Sequence, residues 1–405
     1  MDEISKDYLE VMVRRKQDDM RIVKIVCISC KPALGKDENF MSTLLRYKLR
    51  VLYGNGESAI KHVLVKSLPE KHEHAQFLQE NSFFKNEIHM YSKILRDMKV
   101  LMEEFQDKRD TLWCELIGYK PYHKLLLQDL KDQQFYPLDR RENVDMDHAR
   151  FILKSLARFH TMGAVLLQRN LIRRAEFDPF NMGKEKFAEC IFQNCLIVLA
   201  KAIRRSWGSE WASTADRMEK DAYKVYDKMT EMLKYDSKRF NVINHGDTWT
   251  NNVLFKHVED TKIPSGVRFV DFQVSHLNSF VWDVTYFIYT SLKPTLRREN
   301  YKELMNTYYN SLNYNLKYYN YPESGIPTME HLLEEMKRVR YWAMLVNLTL
   351  YPILSSDVEE PFDMDKALNN KDNPEAGINV KVFESPNCKE MIKDDIKDFV
   401  DEGLI

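Results

Sequence analysis

The segment Asn244-His245-Gly246-Asp247-Thr248-Trp249-Thr250-Asn251-Asn252 carries a carboxylate and an amide five residues apart, and Asp271-Phe272-Gln273 follows 19 residues after Asn252. Phosphoryl transfer from ATP asks for these parts: a carboxylate to orient an attacking hydroxyl and accept its proton, and oxygen donors to hold magnesium against the phosphates. Asp247 and Asn252 have the spacing to supply the base and one metal contact from a tight loop. Asp271 ends the apolar run Val267–Val270 and is placed to be the second metal ligand. Donors of this kind suit magnesium, a hard ion that keeps several waters. Either motif by itself also reads as a turn or a strand end, but the order of the two with short strands between them points to catalysis. His245 reads as a brace for the loop, not as a ligand or base.

A phosphate-binding cation should come from elsewhere in the chain. Val63-Leu64-Val65-Lys66 puts a lysine at the end of a strand that is apolar on both faces, where a lone ammonium is costly. Glu87 sits between Phe84 and Ile88, inside the apolar stripe of the helix that follows, where a lone carboxylate is equally costly. Singly these are a solvated strand end and a helix-edge charge. Together with the downstream motifs they predict an ion pair.

The elements that must position these groups change character along the chain. A short amphipathic helix is expected over residues 4–16, with Tyr8, Leu9, Met12 and Val13 near helical spacing. Strand-like runs follow at Ile22–Cys30, Phe40–Leu52 and His62–Leu68, with Gly54-Asn55-Gly56 supplying a tight hairpin. The glycines of that turn superficially match a dinucleotide fingerprint, which requires a helix next; a strand follows, so the match is rejected. Asn81 or Ser82 is a candidate cap for a helix with Phe84, Ile88, Tyr91 and Leu95 on one face. Leu112–Leu116 and Leu125–Leu127 read as two more strands. From Asp145 helices dominate, apart from a β-rich insert over about residues 241–274, and the polar stretch Ser355–Asn387 reads as a surface loop before a last helix near 389–401. A β-rich first third and a helical remainder predict an α+β, bilobal architecture, residues 1–130 and 131–405, dividing near Asp129–Gln133 with the ligand in the cleft between.

Composition narrows the classes of partner. Hydrophobic residues make up 44% and charged residues 30%, as in globular chains. Sixty Lys and Arg against 61 Asp and Glu leave no global field to hold nucleic acid or an anionic membrane. Met1–Arg15 lacks the order of a secretory signal, and no apolar run is long enough to span a bilayer. A cytoplasmic location is therefore expected. Six scattered cysteines fit that setting, and Cys27-x-x-Cys30 has no second pair to complete a zinc site, so both read as ordinary thiols.

At these residues the chain resembles the ecdysteroid kinase-like family of insects, relatives of choline kinases and aminoglycoside phosphotransferases. The resemblance runs nearly end to end and rests on His-Gly-Asp-x-Trp-x-x-Asn at 245–252, Asp-Phe-Gln at 271–273, Trp282-Asp283-Val284, Val-Lys-x-Leu-Pro at 65–69 and Leu156-Ala157-Arg158-Phe159-His160. It implies a protein-kinase-like fold in which Lys66 contacts ATP phosphates and Glu87 positions it. Asp247 would be the base, Asn252 and Asp271 would bind magnesium, and Asp283 would brace the catalytic loop. The phosphate-covering hairpin would fall at Gly35–Ser42, bringing Asn39 and Ser42 to the nucleotide. Gln128-Asp129-Leu130 resembles the inter-lobe hinge that meets adenine through Gln128 and Leu130. No Ala-Pro-Glu element follows Asp271, so a small molecule is the expected acceptor of phosphate: an ecdysteroid or foreign lipophilic alcohol, with a choline- or aminoglycoside-type substrate and a nucleotide-binding pseudokinase as alternatives. Eleven of 21 tyrosines lie between Tyr286 and Tyr351, where a few are expected to reach a flat ligand while most pack helices.

Overall fold

Alternation along the chain builds the first sheet. In β2 (Thr43–Tyr53) Tyr47, Leu49 and Val51 are buried while Lys48 and Arg50 between them face solvent. β1 (Ile22–Pro32), β2, β3 (Ser58–Ser67), β4 (Leu116–Lys120) and β5 (Lys124–Gln128) form an antiparallel sheet in the order β1-β2-β3-β5-β4. The β2–β3 turn closes through Gly56, whose φ of 84° suits glycine and whose N–H donates to the Tyr53 carbonyl. This is a computed structural model, and it describes residues 6–17, 22–33, 42–68, 78, 80, 82–121, 123–177, 184–369 and 373–405.

The sheet has two apolar faces. Leu49, Val51, Val65 and Leu126 pack with Leu9 and Val13 of the helix Lys6–Gln17 into a small separate cluster. Leu125 and Leu127, pointing the other way from Leu126, join the main core. That core takes in a helix over residues 83–104, in which a π segment at Met90–Ile94 interrupts the α-helical turns, and continues through the helical remainder of the chain. The arrangement is α+β with antiparallel sheets.

Two small sheets are built from strands on either side, in the chain, of the buried helix Met146–Gln168, whose N-terminus is capped by the Asp145 side chain. β6 (Tyr136–Pro137), β8 (Val253–His257) and β9 (Pro264–Phe269) form one; β7 (Asn241–Asn244) pairs with β10 (His276–Ser279) in the other. Pairing of Val253 with Phe269 puts the residues just outside the hairpin side by side, and the Val270 N–H donates to the Asn252 carbonyl at 3.0 Å. The register therefore sets the loop after β7 against the loop after β9.

Several expected elements differ. β4 starts only at Leu116; Leu112, Trp113 and Cys114 turn into the core instead, where the Leu112 carbonyl accepts from the Phe269 N–H at 2.7 Å. β2 begins at Thr43, and Phe40 lies outside the described residues. Asn81 also lies outside them, and Ser82 precedes the helix in a left-handed conformation without a side-chain capping bond. β9 ends at Phe269, two residues short of Asp271. The stretch read as a polar loop contains the short helices Met364–Asn369 and Lys381–Glu384, held by buried Phe362, Leu368, Val382 and Phe383, and the last helix starts at Pro386. No helix among the described residues is long and apolar enough to cross a membrane.

Candidate active site

β3 carries Lys66 to the edge of a cavity of about 710 Å³, and the first turns of the helix over 83–104 carry Glu87 to meet it. Lys66 Nζ lies 2.8 Å from Glu87 Oε2 and 2.7 Å from Asp271 Oδ1. Glu87 is fully buried and Lys66 nearly so. Burial opposes the ammonium, but Asp271 and then Glu87 outweigh it and raise the Lys66 pKa. Burial also raises the Glu87 carboxyl, which Lys66, shared with Asp271, pulls only partly back down. The cation is thus held charged between two acids.

Asp247, on the loop after β7, lines the same cavity. Its Oδ2 accepts from Asn252 Nδ2 at 2.8 Å, and the same amide nitrogen donates to the Asp247 carbonyl at 3.0 Å. Its Oδ1 accepts from the Tyr286 hydroxyl at 2.6 Å. Enclosure pushes the Asp247 pKa up to about 7; the Tyr286 and Asn252 hydrogen bonds lower it, while nearby Asp271 raises it. A carboxyl so placed is poised for proton transfer at neutral pH. Tyr286 was not picked out among the tyrosines of its region. Its only sequence signal is that it follows Asp283 by three residues, one helical turn along the same face.

Asp283 organises the loop from beneath. Fully buried in the first turn of the helix Val281–Thr290, it accepts from the backbone N–H groups of His245 at 2.6 Å and Gly246 at 2.8 Å, and it lies 2.9 Å from His160 Nε2. Burial alone would raise its pKa; His160 and the charges around it bring the carboxyl below its ordinary value. Gly246 has a φ of 88°, and a Cβ there would stand 2.4 Å from the Val274 carbonyl oxygen, so the close approach of the two loops requires glycine. The His245 ring accepts from the Asp247 N–H through Nδ1 at 3.3 Å, leaving Nε2–H to donate to the Val270 carbonyl at 2.9 Å. It spans the loops that carry Asp247 and Asp271, and burial lowers its pKa. Asp271 itself adopts φ 67°, a conformation uncommon for a non-glycine residue. Asn86, one residue before Glu87, donates from Nδ2 to the carbonyls of Gln273 and Ser275 and so fastens the same helix to the Asp271 loop.

Gln128 and Leu130 line the cavity beside Asp129, which is buried and paired with Arg46 of β2. The Gln128 Oε1 accepts from the Glu115 N–H. Ser42 immediately precedes β2 and does not line the cavity, and Asn39 lies outside the described residues. Of the tyrosines between 286 and 351, Tyr286 alone among the described residues lines it; Tyr308, Tyr319 and Tyr351 are buried in the helical core. The six cysteines, all among the described residues, are free thiols.

The donor set suits a hard cation. Asn252 spends its amide nitrogen on Asp247 and so leaves Oδ1 for a metal, and Asp271 has a second carboxylate oxygen beyond the one at Lys66. Among the described residues no cluster of three or more His, Cys, Asp or Glu could hold a metal ion unaided. Magnesium needs no such cluster when phosphates complete its shell.

A lysine–glutamate pair, two carboxylates and an amide gathered on one cavity are the parts of a kinase-like chain. Residues 36–321 match the model of the ecdysteroid kinase-like family, and the chain belongs to that family. No curated protein matches it.

Proposed function

We propose that the chain is a two-lobed, protein-kinase-like enzyme, residues 1–130 and 131–405, that moves the γ-phosphoryl group of ATP to the hydroxyl of a lipophilic alcohol. The carrying observation is one continuous cavity. It runs from an apolar slot between Ala33, Leu44, Leu127 and Leu254, past Lys66, Asp271 and Asp247, to a second apolar wall beyond them. A slot of that kind suits a nucleotide base, and the far wall suits the acceptor.

Lys66 takes the phosphate oxygens and Glu87 keeps its ammonium charged and aimed. Asn252 Oδ1 and Asp271 would hold magnesium, which when bound neutralises charge on the phosphates. Asp247 orients the acceptor hydroxyl and takes its proton; Tyr286 and Asn252 fix the carboxylate from either side. The acceptor oxygen bonds to the γ-phosphorus, the bond to the β–γ bridging oxygen breaks, and its electron pair leaves with ADP. A cationic acceptor would call for further acids in the lining, where Asp139 stands next to Arg140 and Arg141 and Asp129 is paired with Arg46.

The test is phosphate transfer by the purified chain with ATP, magnesium and a panel of ecdysteroids and plant-type alcohols. Asp247→Asn is expected to lower kcat by roughly 10²- to 10⁴-fold while leaving ATP affinity in place. Equal turnover by parent and variant, or no phosphate on any acceptor, sinks the reading.

A further inference from the structure

Strand register orders the cavity between Lys66 and the end of β5. Leu44 of β2 pairs with Lys66 of β3, Arg46 pairs with Leu64, and Leu64 pairs in turn with Leu127 of β5. All five residues line the cavity, as the pleat dictates for positions two apart on one face. The next pair along, Val63 with Gln128, brings β5 to its end. The row of Arg46, Leu64 and Leu127 therefore stands about 7 Å from the row of Lys66, on the side toward Gln128. Arg46 is the charged member of that row, and it is firmly held. Its Nε and Nη2 donate to the two carboxylate oxygens of Asp129, the second at 3.3 Å. The same carboxylate accepts from the Lys131 N–H at 3.2 Å and so caps the 3₁₀ turn Leu130–Gln133. The Asp129 side chain is 2% exposed and that of Arg46 24%. A two-pronged grip on a buried carboxylate fixes the plane of a guanidinium as well as its position.

We infer that Arg46 is a nucleoside-binding residue whose flat guanidinium stacks on the base of the bound nucleotide, and that Asp129 is the residue that positions it. This rests on the kinase reading above. Phosphates are drawn to Lys66 and the base to the leucines beside it, so a group on the Gln128 side of Lys66 meets the nucleoside and not the phosphates. A guanidinium is weakly hydrated and stacks on aromatic faces, whereas an ammonium in its place is a strongly hydrated point charge that cannot take the same two-pronged grip. Loss of the Asp129 charge leaves the arginine free to turn out to water.

The experiment is calorimetry of ATP, adenosine and inorganic tripolyphosphate, each with magnesium, on wild type, Arg46→Met, Arg46→Lys and Asp129→Asn, with phosphate transfer to the alcohol panel read alongside. Arg46→Met keeps the apolar stem and loses the flat cation. It is expected to raise Kd for ATP and adenosine alike by roughly five- to thirtyfold and to leave tripolyphosphate unchanged. Arg46→Lys should stay close to Arg46→Met, and Asp129→Asn should weaken the same two ligands by a smaller factor. Unchanged ATP and adenosine binding in Arg46→Met overturns the inference and leaves the kinase intact. So does an equal loss for tripolyphosphate, which marks a general loosening or a phosphate contact, and so does full recovery in Arg46→Lys. Weaker nucleoside binding in Arg46→Met, with no phosphate on any acceptor even for wild type, supports the inference and removes the kinase. Wild type that binds neither ATP nor adenosine overturns both.

Discussion

Asp247 is held by two donors of different strength. The Tyr286 hydroxyl, at 2.6 Å, hydrogen-bonds the ionised form and so lowers a pKa that enclosure otherwise raises to about 7. Removing that hydroxyl should let the pKa climb further. As the proposed base, Asp247 would work as the carboxylate, so the acidic limb of the kcat/KM profile in Tyr286→Phe is expected to move to higher pH, with ATP KM little changed. A profile that keeps its shape while only its height falls would reduce Tyr286 to packing. The same carboxyl has a consequence for folding. Its native pKa lies above that of an unfolded aspartate, so its contribution favours the fold at low pH and is lost as pH rises through about 7. Urea unfolding of the ligand-free protein should show Asp247→Asn gaining on wild type between about pH 5 and about pH 8; a constant difference between them would refute the assignment.

At the scale of elements, one helix holds the loop of Asp247 at two places. Val281–Thr290 supplies Asp283, which gathers the His245 and Gly246 amides, and one turn later Tyr286, which reaches Asp247. The β8–β9 hairpin then fixes how close Asp271 comes to that loop. A second fastening acts on the apolar part of the cavity lining. Arg140 lines the cavity and ties the segment before the helix Met146–Gln168 to the carbonyls that end the helical stretch containing Leu350, Ile353 and Leu354. Arg140→Ala is expected to raise the acceptor KM several-fold and to leave the ATP KM nearly unchanged. Equal effects on both substrates would make Arg140 a general brace.

Across the whole molecule, the family match ends at residue 321, yet the chain beyond it contributes to the cavity and to the core. The last helix, Pro386–Asp401, buries Ile392, Ile396 and Phe399 and is pinned by Asp395, which pairs with Arg297 and Arg298. Asp395 and Arg297 are almost fully buried, so deleting the carboxylate strands a guanidinium. Asp395→Ala should cost about 3–5 kcal/mol in chemical unfolding. A change of a few tenths would show that the helix is held by its apolar face alone. Much of this plan was legible in the residues. Polar groups with costly surroundings declare themselves, as Lys66 in an apolar strand and Glu87 in an apolar stripe do, and Asp247, Asn252 and Asp271 carry their spacing in the chain. What could not be read depends on neighbours remote in sequence. The apolar part of the cavity lining is written in Phe, Ile, Leu and Met, which look like any core, and Tyr286 is one of eleven tyrosines between 286 and 351. The segment at Leu112–Cys114 and the helices inside 355–387 were misread for the same reason: burial against distant partners decided their conformation.

The ammonium shared by Glu87 and Asp271 sets terms for whatever enters first. A divalent metal arriving alone at Asp271 would meet the Lys66 ammonium on one of its two oxygens, kept there by Glu87, and be repelled by it. On the proposed reading, triphosphate brings anionic charge that offsets both cations, so the ligand-free centre is expected to favour entry of the metal–nucleotide complex as a unit over sequential loading.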